Sequence, residues 1–336
     1  MNIFDIKTEE DFRTACIETF RHQYENVEVY QKFVDYLKID SQSVQQVQDI
    51  PFLPIEMFKN HLILDKRLAT NHYFQSSGTT QTTRSKHWIA DFNLYEQSIY
   101  RSFEQFIGRP EDFIFLGLLP NYSENPHSSL IYMIDYLMKK SDKPENGYFL
   151  YNHQDVFELL QKLGDKKVIL FGVSFALLDF LDYLDVLQVS ISPSQSLTII
   201  ETGGMKGRKE EMTKDELLII LQKGFKTDRI FSEYSMTELL SQAYSLGNNE
   251  YFCPNWMRVL IRNLEDPFSF EKEGKTGAVN IIDLANQHSC AFIATQDLGR
   301  FQVLEKENLN GLCQNKFQIL GRIDHSDIRG CSLLVS

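Results

Sequence analysis

The chain has 336 residues, of which 43% are hydrophobic and 12% aromatic, and it carries a formal net charge of −12. This composition supports a large core, in one large domain or in two packed lobes, and argues against disorder. The acidic balance disfavours non-specific binding to nucleic acid or to an anionic membrane surface.

The cysteines and the N-terminus bear on the cellular compartment. The 5 cysteines are scattered and include no Cys-x-x-Cys pair, so neither a disulfide framework nor a structural zinc site is expected. The first residues lack the basic segment and apolar run of a secretory signal, and no stretch reaches the roughly 18 to 20 apolar residues that span a bilayer. We therefore expect a reduced, soluble, cytoplasmic protein with no membrane span and no nucleic-acid partner.

The first hundred residues predict helices around one extended segment. Thr8, with Asp11 three residues later, resembles a helix cap, and apolar residues recur at helical spacing to about residue 38. Two prolines then predict an extended segment over residues 50–59. Asp91 is placed to cap a further helix that runs to about Ile107.

From residue 113 onward, near-continuous apolar runs alternate with helical patterns. Such runs predict strands of a mostly parallel sheet that is covered by helices on both faces. The predicted strands cover residues 113–119, 148–151, 168–173, 197–202 and 229–232, and the predicted helices cover residues 128–139, 155–163, 175–187 and 214–223.

The last third has a different pattern. Short apolar runs separated by Gly, Asn and Asp predict an antiparallel or barrel-like subdomain rather than further parallel strands. These runs are residues 259–261, 278–284, 291–294 and 317–320.

Residues 74–87 form a hydroxyl-rich segment with one glycine and two cations. Such a segment cannot fill a core, because each buried hydroxyl needs a partner. Gly78 allows backbone N–H groups to approach an anion closely, and Arg84 and Lys86 add charge. The segment alone predicts an anion-binding loop or, equally, a solvated turn.

Ligands of parallel-sheet proteins bind beyond the carboxyl ends of the strands, so the residues that end the predicted strands are candidates for a site. Gly203 and Gly204 follow one strand and allow a flat or charged ligand to approach, although an ordinary turn has the same pattern. The loop after the predicted strand 113–119 leads to His127, which either helps to position a carboxylate or lies in a solvated loop.

Two further polar groups follow later strands. Tyr234 offers a stacking face for a base, Thr237 a hydroxyl, and Glu238 a carboxylate for Mg²⁺. The alternative is a polar loop in which Thr237 caps the next helix. Asp297 is suited to accept hydrogen bonds from two ribose hydroxyls.

Taken in chain order, these motifs resemble the adenylate-forming superfamily, which includes acyl-CoA synthetases, luciferases and the adenylation domains of peptide synthetases. The resemblance implies an α/β fold of the large N-terminal type of these enzymes, the use of ATP and Mg²⁺, catalytic roles for Lys86, Thr237 and Glu238, and Mg²⁺ binding by Glu238. The implied ATP-binding residues are Ser76, Ser77, Gly78, Thr79, Thr80, Gly203, Gly204, Tyr234, Asp297 and Arg322.

Residues 53–59 and 321–331 narrow the resemblance to the acyl-protein synthetases of bacterial bioluminescence operons, the LuxE-like long-chain fatty-acid–protein ligases. Such enzymes activate a fatty acid as acyl-AMP and then carry the acyl group as a thioester on a cysteine near the C-terminus. The resemblance implies that Cys331 is the acyl acceptor, and that an acyl-protein reductase or an acyl carrier is the partner.

The chain departs from the superfamily pattern at two places. The usual phosphate loop continues Gly-x-Pro-Lys, whereas residues 81–86 keep only the charges. Full-length relatives also carry a small C-terminal domain with a lysine that stabilises the adenylation transition state, but no lysine follows Lys316 here. We expect that Lys86 or Lys206 takes this role, or that adenylation is slow or absent.

The predicted organisation is one large domain and a short C-terminal segment, with the small C-terminal domain missing or vestigial. The large domain covers residues 1–320, with a helical start over 1–50, an α/β core over 51–245 and a β-rich subdomain over 246–320. Residues 321–336 form a hinge or stub that carries Cys331.

Three other functions stay open. The acceptor of the acyl group could be coenzyme A or a carrier thiol, although the absent C-terminal domain weighs against coenzyme A. The chain could also be a non-catalytic nucleotide- or acyl-binding subunit. Residues 172–176 resemble the nucleophile elbow of a serine hydrolase, but the second elbow glycine is missing, which favours Ser174 as a helix cap.

Overall fold

The computed structural model describes residues 2–77, 84–120, 125–191, 196–203, 212–303 and 315–323. Their eight α-helices are α1 Glu9–Asn26, α2 Glu28–Tyr36, α3 Met57–Asn60, α4 Phe92–Phe106, α5 Ser129–Ser141, α6 His153–Leu163, α7 Ser174–Val186 and α8 Lys214–Phe225. Their strands are β1 Leu53–Pro54, β2 Tyr73–Gln75, β3 Lys86–Trp88, β4 Ile114–Leu118, β5 Gly147–Tyr148, β6 Val168–Val173, β7 Leu197–Thr202, β8 Ile230–Tyr234, β9 Ala243–Ser245, β10 Tyr251–Phe252, β11 Met257–Arg262, β12 Gly277–Asp283, β13 Phe292–Val303 and β14 Asn315–Arg322.

The helix starts follow from local capping chemistry. Thr8 accepts a hydrogen bond from the Asp11 N–H, and the Asp11 side chain accepts one in return, so α1 begins with a capping box as predicted. The Asp91 side chain accepts from the Asn93 N–H and starts α4, which ends at Phe106, one residue before the predicted end.

One twelve-stranded sheet contains both the parallel and the antiparallel strands. Strands β5, β4, β6, β7 and β8 lie side by side and parallel. The order then continues through β9, β10, β14, β13, β12 and β11 in antiparallel pairs, and β1 adds to β13 in parallel. The predicted antiparallel strands are therefore present, and they share a sheet with the parallel ones instead of forming a separate one.

Helices and loops bury the two faces of the parallel strands in two separate cores. Ile199 and Ile200 are neighbours in β7, yet each belongs to a different core, because successive side chains of a strand point to opposite faces. Both are fully buried. The near-continuous apolar runs of β6 and β7 are thus explained by burial on both sides.

Some local predictions were wrong. Residues 50–59 are not extended throughout, because α3 begins at Met57. The strand predicted over residues 148–151 covers only Gly147–Tyr148. Ser174 does not cap α7: Val173 is the capping residue, and the Ser174 hydroxyl donates to Glu201 instead.

The short strands predicted in the last third are parts of longer ones. Predicted strand 291–294 is the start of the twelve-residue β13, and predicted strand 317–320 lies within β14. Among the described residues, no helix combines the length and the apolar character needed to cross a bilayer.

Candidate functional site

The hydroxyl-rich segment connects the two strands of a small hairpin. Strands β2 and β3 pair antiparallel, with Gln75 opposite Lys86. Beyond this pair, the Ser76 N–H donates to the Ser85 carbonyl at 3.1 Å, and the Ser85 N–H donates to the Ser76 hydroxyl at 3.0 Å. The hairpin therefore fixes both ends of the predicted phosphate loop, while Gly78, Thr79 and Thr80 lie outside the described residues.

The two faces of this hairpin present different groups. Ser85 and His87 are buried, and both hydrogen-bond to residues that follow β8. Lys86, which lies between them, points to the opposite face, where its ammonium sits 4.8 Å from the centre of the Tyr73 ring. Because side chains alternate along β3, Lys86 points away from the residues after β8 that bind Ser85 and His87.

His87 joins the hairpin to the segment after β8. Its Nδ1 lies 2.9 Å from the Thr237 carbonyl oxygen, and its Nε2 lies 2.9 Å from the Ser289 hydroxyl. Since a carbonyl can only accept, Nδ1 carries the proton and Nε2 accepts from Ser289. Burial lowers the pKa of His87 to about 4, so the ring is neutral at pH 7.

Two more buried side chains hold the segment that contains Thr237 and Glu238. The Asp283 carboxylate accepts from the backbone N–H groups of Leu240 at 2.7 Å and Ser241 at 2.9 Å, and from the Ser241 hydroxyl at 2.5 Å. The Asn286 amide donates to the Glu238 carbonyl at 2.8 Å. Together with His87, these contacts leave little freedom to the backbone on either side of Glu238.

Glu238 is a buried carboxyl beside the hairpin, with 4% of its surface exposed. Burial raises its pKa, while a hydrogen bond from the Ser85 side chain and the positive charges of Lys59 and Arg322 act in the opposite direction. The Ser85 contact places Glu238 at the end of the predicted phosphate loop. We refer to Ser76, Ser85, Lys86, Thr237 and Glu238 as the hairpin side of the site.

Tyr234, Asp297 and Arg322 form a second group, the β13 side of the site. The Tyr234 hydroxyl donates to Asp297 Oδ2 at 2.7 Å, and Arg322 Nε lies 3.5 Å from Asp297 Oδ1. Asp297 and Arg322 are directly paired residues of β13 and β14. Asp297 lies within strand β13, whereas the sequence had suggested that it follows a strand.

The Asp297 carboxyl is largely buried, whereas Arg322 has 72% of its side chain exposed. Burial raises the pKa of Asp297, and the Tyr234 hydrogen bond and the Arg322 charge oppose this shift. The rings of Tyr251 and Phe317 pack edge-on against Tyr234 and fix its position.

The segment over residues 53–59 borders the β13 side. The Ile55 N–H donates to the Ala294 carbonyl at 3.0 Å, and Glu56 accepts a hydrogen bond from the Gln296 side chain. Gln296 in turn accepts from Arg322 at 3.2 Å. This segment therefore supports the strand that carries Asp297.

The glycine turn after β7 lies at the same edge of the sheet. Gly203 has a φ of +73°, a left-handed conformation that favours glycine, and it is exposed. Its neighbour Thr202 donates to Glu233 in β8 at 2.5 Å, which links the ends of the two strands. Gly204 and Lys206 lie outside the described residues.

His127 stacks on the outward face of the hairpin. Its ring lies 4.3 Å from the ring of Tyr73 at an interplanar angle of 5°. The Gln75 N–H also donates to the His127 carbonyl at 2.8 Å. His127 is exposed and lies on the same face of the hairpin as Lys86, so both could reach a ligand on that side.

The predicted residues fall into three sets. The structure brings Thr237 and Glu238 together with the hairpin, and it brings Tyr234, Asp297 and Arg322 together with one another. Tyr234 and Thr237 belong to one segment, in which the Tyr234 hydroxyl contacts Asp297 and the Thr237 carbonyl contacts His87, so the two sides adjoin. Ser77 is exposed next to Ser76. Cys331 lies outside the described residues, as do Gly78, Thr79, Thr80 and Gly204.

Sequence reasoning missed the side chains that position the hairpin side, namely His87, Asp283 and Asn286. Asp283 lies at the end of an apolar run, and this position was the signal in the sequence. The residue is fully buried, and an unpaired buried carboxyl is costly, so it needs hydrogen-bond partners. His87 is the last residue of the hydroxyl-rich segment, and the sequence pattern indicated no role for it. Its true partner is 150 residues away in sequence, which no local pattern reveals.

The arrangement combines serine hydroxyls at the open end of the hairpin, a buried carboxyl with cations nearby, and a carboxylate beside an aromatic ring. Such a set suits a phosphate-bearing ligand at the hairpin side and hydroxyl groups of that ligand at the β13 side. Proton transfer by a central histidine is not suggested, because both nitrogens of His87 are already engaged.

Comparison with known families gives a match over most of the chain. The model of the family described as "Acyl-protein synthetase, LuxE" matches residues 4–90 and 130–336. The chain belongs to this family. The match confirms the predicted resemblance and supports an acyl-activating, AMP-forming ligase. A search of curated protein sequences gave no match.

Solved structures confirm the fold class. A 2-hydroxyisobutyryl-CoA ligase in complex with 2-HIB-AMP and CoA superposes with a TM-score of 0.71 at 11% identity, over 94% of this chain and 70% of that one. ATP-bound MatB from Rhodopseudomonas palustris gives 0.52 at 13% identity, over 74% and 47%. The luciferase-like enzyme of the nonluminescent mealworm Zophobas morio gives 0.52 at 13%, over 85% and 62%. At these identities the likeness establishes the fold.

Proposed function

We propose that the chain activates a carboxylic acid, of the long-chain fatty-acid class, with ATP and transfers the acyl group to the thiol of Cys331. The observation that carries this proposal is the meeting of the two sides at Glu238. Its carboxyl hydrogen-bonds to Ser85 of the hairpin, and Tyr234 of the same segment donates to Asp297 of the β13 side. Three motifs that resemble those of adenylate-forming enzymes thus share one place in the fold.

The two sides of the site would bind different parts of ATP. Ser76, Ser77 and the loop that continues through Gly78, Thr79 and Thr80 would hold the phosphates. Asp297 would accept the ribose hydroxyls, with Arg322 beside it. The exposed turn at Gly203 and the Tyr234 ring would contact the base, together with Gly204.

Glu238 fits a role as a ligand of Mg²⁺. Its carboxyl is buried, a cation beside it would offset the desolvation that raises its pKa, and the contact from Ser85 leaves further oxygen lone pairs for that cation. Mg²⁺ held there would neutralise charge on the phosphates. Thr237 lies next to it, with its backbone fixed by His87.

The proposed chemistry has two substitutions. An oxygen of the substrate carboxylate attacks the α-phosphorus of ATP, and the bond to pyrophosphate breaks. The Cys331 thiolate then attacks the acyl carbon, and AMP leaves as the thioester forms. The task of the protein in the first step is to neutralise charge, for which Lys86 is our candidate cation.

The described cysteines support an acceptor elsewhere in the chain. Burial raises the pKa of Cys16, Cys253 and Cys290 to about 12 each, which disfavours the thiolate. The family match extends over residues 130–336 and so includes Cys331. An acyl-protein reductase or an acyl carrier would then take the acyl group from the thioester.

A second candidate is the same adenylation with coenzyme A as the acceptor. The observation that favours it is the fold shared with 2-hydroxyisobutyryl-CoA ligase, which was solved with CoA. The family match favours a protein thiol instead.

One experiment separates these readings. The protein is incubated with ATP, Mg²⁺ and radiolabelled carboxylic acids of several chain lengths, and ATP–pyrophosphate exchange and protein-bound label are measured. We expect exchange with a long-chain acid, a hydroxylamine-labile label, and loss of the label but not of exchange in Cys331→Ser. Exchange with consumption of CoA and no protein-bound label would indicate that CoA, and not Cys331, is the acyl acceptor. No exchange with any acid would contradict the adenylation and favour a binding subunit.

A further inference from the structure

A buried polar cluster at the carboxyl ends of β6 and β7 has no part in the chemistry proposed above. Glu201 in β7 is fully buried. The Ser174 hydroxyl, at the first residue of α7, donates to one of its carboxylate oxygens, and the Lys214 ammonium, at the first residue of α8, donates to the other. Tyr251 in β10 completes this Glu201 cluster.

Ser174 is not arranged as a hydrolase nucleophile. Its hydroxyl is buried and donates to a carboxylate, whereas an elbow serine donates to the histidine that removes its proton. The serine motif that the sequence shares with hydrolases therefore serves the Glu201 cluster.

The Glu201 cluster contains an ion pair between Lys214 and Glu201. Lys214 keeps 19% of its side chain exposed. Burial disfavours its charge, but the Glu201 carboxylate and the Tyr251 hydroxyl outweigh that effect and raise the pKa of Lys214. A buried pair of this kind holds its geometry firmly, because loss of either partner leaves the other charge uncompensated.

The Glu201 cluster reaches both groups that we assign to the base of the nucleotide. The Ser174 hydroxyl also lies 3.4 Å from the Gly203 carbonyl, at the left-handed turn. The Lys214 ammonium hydrogen-bonds to the Tyr251 hydroxyl, and the Tyr251 ring packs edge-on against Tyr234 at 5.8 Å. One ion pair thus connects the turn to the ring.

We propose that Glu201 is a positioning residue for nucleotide binding, which holds the Gly203 turn through Ser174 and the Tyr234 ring through Lys214 and Tyr251. This inference rests on the proposed function, since it takes these two groups to contact ATP. It adds that the geometry of the base site depends on an ion pair that does not itself touch the nucleotide.

The test measures ATP binding without any chemistry. Equilibrium dialysis with labelled ATP gives the Kd for wild type, Glu201→Gln, Lys214→Met and the double variant, and thermal unfolding gives the Tm of each. We expect each single variant to raise the Kd roughly tenfold or more, as small displacements of positioning groups do. In exchange assays the KM for ATP should rise, while the KM for the acid stays unchanged.

The double variant distinguishes positioning from mere stability. The double variant lacks both charges, so neither is left buried without its partner. The Tm of the double variant should therefore be higher than that of either single variant. The Kd for ATP should nevertheless stay raised. If the Kd recovers together with the Tm, the cluster is only structural and the inference is wrong.

Lys226→Met is the matched control, because Lys226 directly follows the same helix and its ammonium binds the Ser190 hydroxyl at 2.9 Å instead of a group of the Glu201 cluster. Its Kd should equal that of wild type. Equal ATP binding by wild type and Glu201→Gln would overturn the inference and leave the proposed function intact. ATP binding without exchange would contradict acyl activation but not the inference, and a wild type that does not bind ATP would overturn both.

Discussion

The two sides of the candidate site are built differently. On the hairpin side, Glu238 is buried, and His87, Asp283 and Asn286 fix the backbone around it from three directions. On the β13 side, Asp297 is paired with Arg322, whose side chain is 72% exposed. A rigid buried group suits the stabilisation of charge that develops during a reaction, whereas a pair with one exposed partner suits reversible binding.

This comparison predicts different kinetic signatures. Changes on the hairpin side should lower kcat, because they affect the groups that would act in the transition state. Changes on the β13 side should mainly raise the KM for ATP, because they affect binding common to the ground state and the transition state. A reversed pattern would mean that the assignment of the two sides is wrong.

The largest effect is expected from Glu238→Gln. The substitution keeps the shape of the side chain but removes the charge that would bind Mg²⁺, so the kcat of ATP–pyrophosphate exchange should fall by about 10²–10³. The concentration of Mg²⁺ needed for half-maximal rate should rise as well. Glu145→Gln is the control, since Glu145 forms a surface ion pair with Lys166 at 2.8 Å. Unchanged exchange in Glu238→Gln would remove this carboxylate from the mechanism.

Lys86→Ala tests whether the outward face of the hairpin takes part in catalysis. If Lys86 supplies the cation for adenylation, kcat for exchange should fall by about 10². Lys140→Ala is a matched control, because the Lys140 ammonium lies 5.2 Å from the Tyr136 ring centre, much as Lys86 lies over Tyr73. Lys59→Ala provides the comparison on the other face, near Glu238. A larger loss in Lys59→Ala than in Lys86→Ala would move the catalytic cation to that face.

The third prediction concerns acid stability. The pKa of His87 falls from its ordinary 6.5 to about 4 on burial, so the unfolded chain binds the proton more tightly than the folded one. The contribution of His87 is therefore fully present above pH 6.5 and is lost as the pH falls toward 4. The loss between pH 7 and pH 4 amounts to about 3 kcal/mol.

His87→Asn isolates this term, because the amide can still donate to the Thr237 carbonyl but does not titrate. The free energy of unfolding is measured by denaturant titration at pH 7 and pH 4 for both proteins. Wild type should lose about 3 kcal/mol more than the variant over this range. Equal losses would show that His87 is not held neutral, and the hairpin side would be less rigid than we infer.

The sequence predicted the bounds of the long parallel strands better than those of the long antiparallel ones, for a physical reason. Strands β6 and β7 have the predicted bounds, because burial on both faces requires continuous apolar runs. Strand β13 contains Gln296 and Asp297 in its interior and a register shift at Leu298, so its length is set by pairing with β14 and not by its own pattern.

The motifs of the site were predictable, but their supports were not. Polar residues after β7 and β8 had to meet at one edge, because the strands are parallel. The direction of Lys86 depended on the register of the hairpin, which pairs Gln75 with Lys86 and Phe74 with His87. The contact of Asp283 with Leu240 joins residues 43 positions apart, and only the folded chain shows it.

The smallest effects are expected on the β13 side, and they test the difference between the two sides most directly. Asp297→Asn keeps the size of the side chain but weakens its acceptor strength, so the KM for ATP should rise about tenfold with little change in kcat. Arg322→Ala should raise the KM for ATP only about two- to threefold, because the arginine side chain is largely exposed and its ion pair contributes little. The same variants are assayed with 2′-deoxy-ATP, and Asp297→Asn should reduce the preference for ATP because the carboxylate is assigned to the ribose hydroxyls. A larger effect of Arg322→Ala than of Asp297→Asn, or a lower kcat in Arg322→Ala, would contradict this assignment. Arg322 would then act in catalysis through its charge near Glu238, and the two sides would work as one catalytic unit.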